Sequence, residues 1–269
     1  MLSRLLGLGQ PAPEGAGNTI DGEMPWLADG RHAAEFALTN LLSYLIDAHK
    51  DLRRGLVESL MTATGALAGF AAQHAIWERV VRPGHMPEHG GQHLRAGAFV
   101  VATATSGEKF YFGDLLNAYL VPKDTMHVPL GPGVHTLWSI AGAAVAVCGR
   151  APLSMAEVAE IFRHSASTIG SASFGLPRLP AGHAPVLAPR EALNAAWPAA
   201  LEIFERLDAP GARGLPVKPE HAPTVCALAA HKLIVATKDA LDPALSMRIL
   251  FEAAVPMSKI DPASVRQAA

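Results

Sequence analysis

Residues 59–77 read SLMTATGALAGFAAQHAIW, nineteen positions without a charge. A run of that length can cross a bilayer or thread the middle of a helical bundle, and its composition decides between the two. Alanine, glycine and threonine dominate, and Gln73 and His74 lie inside it. That is too little apolarity for a membrane span, so the stretch reads as the buried part of a helix running from about Leu52 to Val80. Gly65 and Gly69 sit four apart on it, each costing about 1 kcal/mol against alanine in a helix interior. Close approach of a second helix at those two positions is the expected compensation.

Working outward, residues 31–49 read as another helix, with Phe36, Leu41, Leu45 and Ile46 on its apolar face. Residues 1–20 read as a flexible lead-in, extended from Gln10 to Gly17, and residues 1–9 carry one positive charge and too short an apolar core for a signal peptide. Toward the C-terminus, Phe99–Thr105 and Glu108–Phe112 are β-branched and aromatic runs separated by Ser106-Gly107, a hairpin pattern. Asp114 is placed to cap a short helix through Tyr119, with Asn117 on its polar side. A loop from Val121 to Gly133 precedes a helix over 134–148, and Ser154 with Glu157 forms a capping box opening the next. The Ser/Gly/Pro-rich stretch from Gly170 to Pro189 reads as a surface connector. The 189–207 region is expected to break or kink at Trp197-Pro198, because proline donates no backbone hydrogen bond, and Pro198 suits the first turn of a new helix carrying Leu201, Phe204 and Leu207. Further helices follow from Pro219 to Ala240 and from Asp242-Pro243 to about Val255-Pro256, and Lys259 reads as surface charge on a docking tail. The expected fold class is mainly α, a bundle-like domain over 21–269 with one small β-hairpin, and 170–189 is where it would subdivide.

The chain has 269 residues, enough to bury a large core, and is 50% hydrophobic and 17% charged. A net charge of −2 supplies no field that would draw nucleic acid or anionic membranes, so neither is an expected partner. Cys148 and Cys226 fall in apolar helical stretches and read as two buried thiols in a reducing, cytoplasmic compartment.

Coordinating side chains concentrate in one place. His85, His89 and His93 recur every four residues, with Glu88 the local carboxylate. On a helix they would share a face, but Gly84, Pro87, Gly90 and Gly91 disfavour one. In a loop they would hold a divalent metal only with a fourth ligand from elsewhere, which gives a metal-dependent hydrolase as one alternative function. His85, His127, His183 and His221 are each followed two residues later by proline, where about one such case is expected by chance, so loop histidines converging on one cleft are a second form of this idea.

The segment from Leu153 to Gly175 carries a different pattern. Ser154 stands at a helix cap, with the small Ala159 five positions and Ser165 eleven positions further on. On these residues the segment resembles the helix-turn-helix of bacterial transcription regulators, which implies a DNA-binding regulator with Ser165, Ser167 and Thr168 on the recognition helix. The turn glycine is replaced by Arg163 and the turn apolar residue by His164, and Ala166–Phe174 contains no Lys or Arg to neutralise phosphate. No nucleophile elbow, zinc-helix or Cys-x-x-Cys pattern occurs. The leading expectation is therefore a helical protein that binds a protein partner or a small ligand and self-associates.

Overall fold

The computed structural model describes residues 31–52, 55–78, 100–122, 135–207 and 216–266. Their elements are α1 (Arg31–His49), α2 (Leu56–Ile76), β1 (Val100–Thr103), β2 (Lys109–Phe112), α3 (Asp114–Leu120), α4 (Leu137–Val147), α5 (Met155–Ser167), α6 (Pro189–Phe204), a 3-10 turn (Pro219–His221), α7 (Ala222–Thr237), α8 (Pro243–Met257) and α9 (Pro262–Arg266). The architecture is mainly helical with one two-stranded antiparallel hairpin, as the sequence implies.

Helix α2 is the axis. Every residue from Ser59 to Ile76 is buried, because α1, α6, α7 and α8 pack around it. A helix apolar on all sides has no stable alternative to full enclosure. No helix among the described residues is long and apolar enough to cross a membrane. The two glycines take the expected role. A Cβ on Gly65 would collide with the backbone carbonyl of Leu250, and one on Gly69 with that of Ala254, so α8 approaches α2 backbone to backbone.

The other starts and stops follow local chemistry. Ser154 Oγ accepts from the Glu157 N–H at 3.3 Å, and Glu157 Oε2 accepts from the Ser154 N–H at 2.9 Å, completing the capping box of α5. Asp242 Oδ1 accepts from the Ala244 and Leu245 amides at the head of α8, with Pro243 in the first turn. Thr136 caps α4 through the Ser139 amide at 3.1 Å.

Three expectations need correction. Of the break or kink expected at Trp197-Pro198, a break is excluded: α6 runs on to Phe204 and no new helix starts at Pro198. Pro198 lies on the exposed side of α6, where a carbonyl deprived of its helical donor can turn to water. The cap of α3 is Gly113 rather than Asp114, which sits inside the helix. Lys259 is not surface charge: it is 3% exposed, donates to Asn117 Oδ1 at 2.7 Å, and lies 5.3 Å from the Phe162 ring centre. Its backbone carbonyl accepts from the Tyr111 amide at 2.7 Å, and Ile260 bridges Phe110, so the C-terminal segment pairs with the edge of β2.

Candidate functional site

The residues singled out for chemistry fare differently. His85, His89, His93 and His127 lie outside the described residues. Among the described residues, no group of three His, Cys, Asp or Glu side chains could hold a metal ion. His183 is drawn to the start of α2, its Nδ1 3.0 Å from Glu58 Oε1, and His221 is buried at the entrance of α7. Both cysteines are free thiols. Burial pushes the Cys226 thiol far above its usual range, while Cys148 is only half-buried at the end of α4.

The helix-turn-helix geometry does not form. Helix α5 continues through Arg163 and His164, the residues expected to turn, and ends at Ser167. Ser165 is buried inside it, Ser167 is exposed, and Thr168 is the C-cap. Ala159, expected at a helix contact, is exposed. Successive turns occupy 168–175 in place of a recognition helix. The cause is local: the Ser167, Thr168 and Ser171 hydroxyls donate to carbonyls three or four residues back, and Gly170 and Gly175 adopt φ of +73° and +76°.

A polar assembly that the sequence reading missed runs along α6. Arg190, Asn194 and Trp197 are spaced by four and three residues and share one face of that helix. At its inner end Trp197 is 2% exposed, packed edge-on to Phe70 with ring centres 4.6 Å apart, and 5.2 Å from the His74 ring. His74 Nε2 in turn lies 3.6 Å from Glu78 Oε1. The indole nitrogen of Trp197, the side-chain oxygen of Asn194 and that of Gln73 are all buried, and none has a hydrogen-bond partner among the described residues. Gln73 is 1% exposed, which places an unmatched amide oxygen deep in an apolar bundle.

At its outer end the same face reaches a depression of about 300 Å³ between the hairpin turn, the connector and α6. Phe110 and Phe174 form its aromatic wall, edge-on with ring centres 4.8 Å apart. Arg190 Nη1 donates to Glu108 Oε1 at 2.8 Å, and Nη2 donates to Ser264 Oγ at 3.1 Å. The Ser106 and Ser171 hydroxyls complete the rim. Gly170 lets the connector close on the hairpin, since a Cβ there would come within 3.0 Å of Ala104 Cβ.

The connector that forms one wall is tied to the core at three points. Glu252, 3% exposed on α8, accepts from the Arg178 amide at 3.2 Å and lies 3.7 Å from its Nε. His183 meets Glu58, and the Val186 amide donates to Ser59 Oγ at 3.1 Å. The depression offers a cation, a carboxylate and hydroxyls beside the half-buried ring of Phe174, and the unmatched atoms of Asn194 and Trp197 lie one and two turns further along α6. Compared with protein-family models, curated proteins and solved structures, the chain matches none.

Proposed function

We propose that this is a small-ligand-binding protein whose site is the polar face of α6, entered beside Arg190 and backed by Gln73 and Trp197. The observation that carries the reading is the set of buried, unmatched polar atoms on Gln73, Asn194 and Trp197. Each such atom costs about 1–3 kcal/mol against a hydrogen-bonded or apolar equivalent. Groups that break the local rules of packing gather where function demands them. A ligand with complementary donors and acceptors removes the cost on binding.

The test separates this reading from a merely structural role. Gln73→Met keeps the length of the side chain and deletes its polar end. The variant is expected to melt above the wild type when neither carries ligand, and to lose the stabilisation that a small polar ligand gives the wild type. Native mass spectrometry of the gently purified protein and thermal-shift screening supply the binding readout. A Gln73→Met variant that melts lower than the wild type would mean that Gln73 is satisfied in solution, and the reading would fall.

A further inference from the structure

We propose that the ligand is a zwitterion of the α-amino acid class with an apolar or aromatic side chain; the inference rests on the reading of α6 as a ligand site and names what that site takes. The mouth presents a guanidinium and a carboxylate 2.8 Å apart, Arg190 against Glu108, both about one-third exposed. An ion pair this exposed contributes little to stability, so a ligand that parts it gives up little. A lone anion drawn to Arg190 would leave Glu108 unpaired beside it, and a lone cation drawn to Glu108 would leave Arg190 so. An α-amino acid carries both charges on neighbouring atoms and re-pairs both groups at once, its carboxylate on the planar guanidinium and its ammonium on Glu108.

The remaining features fit the same class. Ser264 holds the second guanidinium nitrogen at 3.1 Å, so Arg190 keeps its place when Glu108 turns to the ammonium. The Ser106 hydroxyl, which accepts from the Glu108 amide, can donate its proton to the ligand carboxylate. The half-buried ring of Phe174, backed by the buried Phe110, offers aromatic surface to an apolar side chain. A volume of about 300 Å³ lies at the small end of ligand cavities and suits one amino acid rather than a peptide.

Isothermal titration of the full chain with L-phenylalanine, N-acetyl-L-phenylalanine and L-phenylalanine amide tests the class, since the two derivatives each lack one charge. The expected result is binding of L-phenylalanine, with each derivative at least tenfold weaker. Arg190→Gln and Glu108→Gln, each checked for folding by circular dichroism, should each weaken L-phenylalanine at least tenfold. Glu108→Gln should also narrow the preference over the N-acetyl compound. N-acetyl-L-phenylalanine binding as tightly as L-phenylalanine would overturn the zwitterion and leave a ligand site on α6 standing. Absence of binding by all three would overturn the amino acid class, and the Gln73→Met melting measurement then decides separately on the site itself.

Discussion

Helix α2 closes against α8 and against α6 in opposite ways. Along α8 the contact is backbone on backbone, with Gly65 and Gly69 seated on the carbonyls of Leu250 and Ala254. Along α6 it is made by large rings, Phe70 and His74 against Trp197, and the Trp197 indole nitrogen is left unmatched among them. The α8 seam has hydroxyls without partners too, on Thr62 and Ser246, but a hydroxyl can rotate toward the carbonyl one turn back in its own helix. An indole N–H or a glutamine amide has no such refuge. One seam is therefore built for closeness, and the other gives up hydrogen bonds that only a visitor or a water can supply.

The largest expected effect breaks the first seam. Gly69→Ala gains about 1 kcal/mol in helix propensity but must push α8 away, at a cost of about 3 kcal/mol. Urea unfolding should show the variant markedly less stable, and an unchanged midpoint would mean that the two backbones are not in contact. Gln73, further along α2, should respond in the opposite direction: Gln73→Met is expected to gain about 1–2 kcal/mol in the ligand-free protein, read in the same unfolding assay. A glycine gaining one methyl group then harms the fold, while a glutamine losing its amide helps it. Ser154→Ala lies outside both seams and calibrates the scale, with loss of the α5 cap costing about 1 kcal/mol.

The smallest effect concerns pH. His231 on α7 is buried, and desolvation first, then the charge of Lys232, holds its imidazole below the usual range. The unfolded chain therefore takes up this proton before the folded one does. The stability from keeping His231 neutral is fully present above about pH 6.5 and is lost as pH falls below it, toward the folded-state value. His231→Gln should flatten that limb of the stability-versus-pH curve and leave the curve above pH 7 in place. An equally steep limb in the variant would assign the dependence to other groups.

Much of the fold is legible because it follows short-range chemistry. The bounds of α1, the hairpin about Ser106-Gly107, the Ser154 box and the Asp242-Pro243 start all read directly from neighbouring residues. The central burial of 59–76 is legible too, since nothing but enclosure suits an uncharged run too weak for a bilayer. Arg190, Asn194 and Trp197 all precede Pro198 on α6, and their shared face has a charged, an amide and an aromatic side chain that match no motif. Gln73 and Trp197 form no motif, because what marks them is a missing partner, and a partner's absence is a three-dimensional fact. Lys259 was misread for the converse reason: its partners Asn117 and Phe162 lie far back along the chain.

The pairing of Ile260 with Phe110 joins residues about 150 positions apart. During synthesis the hairpin leaves the ribosome long before the segment that bridges it, so its outer edge must wait while the helical remainder is made. Contacts of such sequence separation form slowly even in a free chain. The edge of β2 therefore stays without the segment of Lys259 and Ile260 until about 150 further residues have been made, and an unpaired edge is where a nascent chain is most exposed to wrong pairing.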